Sequence, residues 1–241
     1  MTSYLIFFAL GFLPSFLWLL FYLKKDVHPE SKQMILKIFL YGMFAAILAA
    51  IIEISIFLGI SCLIENFSFL FFLSFQAITI ILIAFTEEMV KYLVVKKKVI
   101  NNAEFDEPVD TMIYMIVAAL GFAGLENILV LFSEPFLFEK MVLITFFRFI
   151  GATFLHALCS ATIGYFLALS IFQPKKQTKL IFTGITIASF LHGLFNFYII
   201  KLEKNFAFSI IFLIIILISL ALFVSYGFKR LKKMASVCQI K

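Results

Sequence analysis

Seven apolar runs, each long enough to cross a lipid bilayer as an α-helix, follow one another along this 241-residue chain. A hydrocarbon core about 30 Å thick needs roughly 20 residues of helix. The runs fall at about 4–23, 34–58, 68–95, 112–132, 141–171, 180–200 and 206–228. They predict an all-α, polytopic membrane helix bundle with about seven transmembrane helices, residues 1–241 forming a single integral membrane domain. The third and fifth runs exceed the bilayer and must tilt, kink or extend past it.

Composition removes the soluble alternatives. Hydrophobic residues make up 63% of the chain and charged ones 14%, with a mean hydropathy of +1.10. Soluble domains carry about 45–50% apolar and about 25% charged residues. The net charge of +6 would suggest nucleic acid in a soluble protein. Here Lys and Arg flank the apolar runs and set topology instead, so no nucleic-acid partner is expected. Lys24, Lys25, Lys32, Lys96, Lys97, Lys98, Lys175, Lys176 and Lys179 fall on one side with the basic tail, and only Lys140, Lys201 and Lys204 on the other. That split places the N-terminus outside and the C-terminus in the cytoplasm of a plasma-membrane protein. The first run lacks a basic leader and a small-residue cleavage site, so it reads as a retained helix. Cys62, Cys159 and Cys238 lack metal-ligand spacing and form no disulfide framework. Cys238, although fourth from the end, lacks a prenylation context.

Ionisable residues inside the runs carry the functional signal, because each costs about 2.5–3.5 kcal/mol in a membrane helix. Six stand out: Glu87, Glu88, Glu126, Arg148, His156 and His192. Glu87 and Lys91 are spaced i,i+4 and can pair on one helix face, with Lys91 also able to snorkel towards the headgroups. Two adjacent carboxylates in a low-dielectric site cannot both ionise cheaply, which yields one base and one acid. A structural ion pair with Lys91 is the competing reading. Glu126 has no local basic partner; beside Asn127 it reads as a site residue or as hydrogen-bonding glue between helices. By helical rise it lies higher in the membrane than Glu87 and His192, an outlier of the group. Gly121 and Gly124 allow another helix to approach closely. Arg148 and His156 are expected on one helix, about 80° apart around its axis, with Arg148 available as partner to Glu126. A small-residue seam of Ala152, Ser160 and Gly164 lies nearby. His192 and Asn196 share one face a turn apart and can donate two hydrogen bonds to an oxyanion, or pack as a satisfied pair. Lys37 and Glu53, near the ends of the second run, need no catalytic explanation.

In this order these residues resemble the PrsW family of membrane proteases, within the group that includes type II CAAX prenyl endopeptidases. The likeness is carried by Glu87-Glu88-x-x-Lys91, Phe105-Asp106-Glu107, Gly121-Phe122-Ala123-x-x-Glu126-Asn127, Arg148 with His156-Ala157-Leu158, and His192-Gly193-x-x-Asn196. It runs from about Pro14 to the last helix. The wider group has His where this chain has Glu126, and Arg at a different spacing where it has Lys91; both departures favour PrsW. The resemblance implies an intramembrane peptidase acting on a membrane-tethered protein such as an anti-sigma factor. Glu87 or Glu88, aided by a histidine, would activate water without a metal; His192 and Asn196 would hold the oxyanion. Zinc is the alternative cofactor, since Glu and His are zinc ligands, but no H-E-x-x-H helix is present. A proton-relaying transporter and a non-catalytic membrane scaffold are the rival functions.

Overall fold

The computed structural model describes residues 2–25, 28–64, 69–100, 102, 104–133 and 137–234. Cys238 and the Glu134-Pro135 turn lie outside these. Among the described residues there are eight α-helices and one short 3-10 turn. They are α1 (Thr2–Leu23), α2 (Lys32–Ile64), α3 (Phe69–Lys98), α4 (Asp110–Phe132), α5 (Phe138–Ile150), α6 (Ala152–Phe172), the turn Pro174–Lys176, α7 (Gln177–Lys201) and α8 (Phe206–Leu231). This is a helical membrane bundle. Six stretches are long and apolar enough to cross a bilayer, with α5 and α6 counted together. The third expected span, α3, is as long as the others, but its apolar run is interrupted by Glu87, Glu88 and Lys91 and closes on Lys96, Lys97 and Lys98.

The fifth run is not one helix. It breaks at Gly151, whose backbone (φ −109°, ψ −95°) leaves the helical region, into the 13-residue α5 and the 21-residue α6. The helical-wheel relation expected between Arg148 and His156 therefore does not hold, since the two residues sit on separate rods. The corner is clamped by α1. Trp18 donates its indole N–H to the Phe149 carbonyl at 2.8 Å and stacks on Phe154 at 4.1 Å between ring centroids. An indole buries a large apolar face while keeping one donor to satisfy, and here both needs are met at the break.

Helix α4 is the axis of the bundle: 72% of its spanning window is buried, against 17% for α2 and 28% for α8. Small residues make that position possible. A Cβ added at Gly121 would strike the Phe39 backbone, and one at Gly42 the Ala118 backbone, so α2 and α4 touch main chain to main chain. Gly164 of α6 meets the Thr111–Met112 backbone of α4 in the same way. The Thr111 hydroxyl fixes that contact by donating to the Gly164 carbonyl at 2.8 Å. The ends of α1 and α8 meet at one pole of the bundle through Tyr22 and Phe228, stacked at 6.1 Å. His28 and Glu107, from the loops preceding α2 and α4, pair with each other.

Candidate active site

Three helices pack an apolar layer made of Ala45, Ala46 and Ala49 of α2, Val90 of α3 and Phe122 of α4. One helical turn further along each rod, the sequence turns acidic: Glu53, Glu87 and Glu126. Helices α6 and α7 supply His156 and His192 to the same level, and their rings meet edge to face at 4.8 Å. The structure thus brings together Glu87, Glu88, Lys91, Glu126, His156 and His192, with Arg148 and Asn127 behind Glu126.

Lys91 is the hub. Its ammonium donates to Glu88 Oε1 at 2.8 Å and to His156 Nδ1 at 2.7 Å, and lies 3.6 Å from Glu87 Oε2. It also stands over the Phe122 ring at 4.3 Å, a favourable position for a cation against a π face. One expectation is corrected here: Lys91 does not snorkel; it is fully buried. The expected i,i+4 pair with Glu87 is present, and Glu88 at i,i+3 lies closer still. Withdrawing an ammonium from carboxylates this deep would leave charge unpaired, a larger penalty than the gain from reaching the headgroups.

The ammonium has no lone pair, so His156 Nδ1 must be the acceptor and its proton sits on Nε2. That nitrogen donates to Glu126 Oε2 at 2.7 Å. Glu126 is therefore joined to the cluster, although counting helical rise sets it apart. Arg148 Nη2 approaches Glu126 Oε1 at 3.0 Å, and Arg148 Nε donates to Asn127 Oδ1. Asn127 in turn donates to the Gly11 carbonyl and to Thr153 Oγ1, each at 3.1 Å. Arg148 is the partner of Glu126, as the sequence suggested, although it arrives from α5.

The adjacent glutamates differ sharply. Both Glu88 oxygens are engaged: Oε1 takes Lys91 and His192 Nδ1 (3.0 Å), and Oε2 takes the Ser160 hydroxyl (2.9 Å). Glu87 Oε2 is buried yet has no hydrogen-bond partner. It lies 3.7 Å from His156 Nδ1 and 3.8 Å from His192 Nε2. Polar separations just beyond 3.5 Å suit an intervening water or small cation. Three carboxylates (Glu87, Glu88, Glu126) face two permanent cations (Lys91, Arg148). One more proton neutralises the group, and His192, flanked by Glu87 and Glu88, is positioned to carry it.

Glu87, His156 and His192 each offer a ligand-type atom, all within 4.8 Å of one another. Two imidazoles and a carboxylate fit a catalytic zinc by type and number. The contrary feature is His156, whose two nitrogens are already engaged by Lys91 and Glu126. Asn196 lies one turn beyond His192, half-buried, and makes no hydrogen bond among the described residues. Sequence reasoning missed one member: Ser160, one turn from His156, reads as a packing residue but holds Glu88. Glu53 stands at the edge of the group, one turn beyond the buried Ala49 on α2. Cys159 is buried and free.

A family model described as PrsW family intramembrane metalloprotease matches residues 30–223. Protease PrsW of Geobacillus kaustophilus (strain HTA426) is 30% identical over 184 residues, covering 76% of this chain and 75% of that protein. Protease PrsW of Clostridioides difficile (strain 630) is 29% identical over 216 residues, covering 88% and 86%. That of Bacillus subtilis (strain 168) is 28% identical over 221 residues, covering 90% and 89%. No solved structure matches the chain.

Proposed function

The chain belongs to the PrsW family of membrane proteases, and from that premise we propose that it hydrolyses a peptide bond of a membrane-tethered protein using water activated by Glu87. One observation carries the assignment: Glu87 Oε2 is buried, accepts no hydrogen bond, and faces both imidazoles and the Lys91 ammonium. Glu88 has no free oxygen and positions Lys91 and His192. Glu87 accepts a proton from water as the hydroxide oxygen bonds to the peptide carbonyl carbon. Protonated His192, through Nε2–H, and the Asn196 carboxamide stabilise the resulting oxyanion. Glu87 then returns the proton to the amide nitrogen as the C–N bond breaks, leaving a carboxyl and an amine. Lys91 and Arg148 keep the surrounding carboxylates compensated, and Glu126 orients His156.

The substrate class is a single-pass membrane protein, an anti-sigma factor being the candidate the family resemblance suggests. The lysine-rich pole is the cytoplasmic one, with the N-terminus outside. Co-expression with candidate single-pass proteins tests the reading. Truncation by wild type and its loss in Glu87→Gln and His192→Ala is the expected result. Unchanged truncation by both variants refutes it.

A second reading rests on the donor set Glu87, His156 and His192. These residues would hold a zinc ion, which when bound polarises a carbonyl and acidifies water. Metal analysis of purified, active protein decides between them. One zinc per chain, removed together with activity by a chelator, favours the metal; activity in metal-free protein favours Glu87 alone.

A further inference from the structure

A groove of about 790 Å³ runs between α1 and α8, floored by the α5–α6 corner and lined by none of the cluster residues. Its walls are aromatic: Trp18, Phe149 and Phe154 at depth, Tyr22 and Phe228 nearer the pole. At the mouth stand Lys25, Lys229 and Lys232, with the Ser225 hydroxyl one turn inside Lys229. None of the three lysines is in an ion pair among the described residues, and no Asp or Glu lines the groove. The Trp18 N–H is already spent on the Phe149 carbonyl, so the indole offers the groove only its apolar ring.

We propose that this groove is a binding site for an anionic phospholipid, acyl chains against the aromatic walls and phosphate at Lys25, Lys229 and Lys232. The volume is in the usual range for a ligand pocket, about 300–1,000 Å³. The apolar depth and cationic mouth match the two ends of such a lipid in the order in which a bilayer presents them. Basic pockets between membrane helices at the cytoplasmic side take anionic headgroups for this reason. A second copy of the chain would place like charges against one another at the mouth, which argues against it as occupant. The site is independent of the peptidase reading.

Trp18 is the chain's sole tryptophan and lies in the groove wall, so its fluorescence reports occupancy directly. Full-length protein in mixed micelles is titrated with brominated phosphatidylglycerol or brominated phosphatidylcholine. The expected result is quenching by the anionic lipid at a mole fraction at least about tenfold lower, since each lysine contributes about 1 kcal/mol. The triple variant Lys25→Gln, Lys229→Gln, Lys232→Gln removes the preference. The triple variant Lys175→Gln, Lys176→Gln, Lys179→Gln, which changes equally exposed lysines away from the groove, retains it. Raising salt to about 1 M collapses the wild-type preference without any substitution. Equal quenching by the two lipids in wild type overturns the site. So does an equal loss of preference in both triple variants, which would mean bulk surface charge. Protection of Trp18 from both lipids in a dimer seen by native mass spectrometry would do the same.

Discussion

The centre of this bundle and its lipid-facing rim use the same residue types for opposite ends. At the centre, Lys91 is fully buried and held by two carboxylates and an imidazole. At the rim, Lys37 projects outward from α2. Glycine shows the same contrast: Gly121 lets α4 meet the α2 backbone, whereas Gly59 has nothing within 4 Å of its Cβ position. A membrane core is set by which polar and small groups have partners, because apolar surface is equally at home against lipid.

The largest test of that contrast is Lys91→Met. Breaking a buried charge network from one side costs about 3–5 kcal/mol, read as thermal unfolding in detergent, while Lys37→Met stays within about 0.5 kcal/mol. Similar losses for the two would erase the distinction. Next comes Gly121→Val, where backbone blocks the new side chain and relief requires helix separation. The expected loss is about 3 kcal/mol, with Gly59→Val near neutral. Ser160→Ala removes a donor to buried Glu88 and is expected to cost about 2 kcal/mol. Ser55→Ala, whose hydroxyl only returns to the Ile51 carbonyl on an exposed face, should move unfolding by less than about 0.5 kcal/mol. Smallest is Glu53→Gln, at the boundary of the two regions. It should change stability by less than about 1 kcal/mol, and a greater loss would mark Glu53 as a member of the centre.

The helices were legible because hydropathy records the cost of placing a residue in lipid, and that cost dominates every run. The corner at Gly151 was not, since apolar residues on both sides keep the hydropathy high across a change of direction. Glu87, Glu88, Glu126, His156 and His192 could be named as a group from the same cost argument. Their pairing could not. Whether Lys91 turns to Glu87, to Glu88 or to the headgroups depends on where α6 sets His156, and that is fixed by tertiary contacts such as Gly164 on the α4 backbone, Asn127 with Thr153, and Trp18 on Phe154. Glu53 reads from the sequence as a residue near the end of a run, while α2 is 33 residues long and carries it one turn past the buried Ala49, to the boundary of the two regions.

The corner at Gly151 has a mechanical consequence. At 1.5 Å per residue the 13-residue α5 is about 20 Å long, some 10 Å short of the hydrocarbon thickness. Because the rod cannot match the bilayer by itself, a change in membrane thickness is absorbed at its joint with α6, where an unbroken helix would tilt as a whole. Arg148 sits three residues before that joint and His156 five residues after it, so the Arg148–Glu126–His156 chain of contacts straddles the joint.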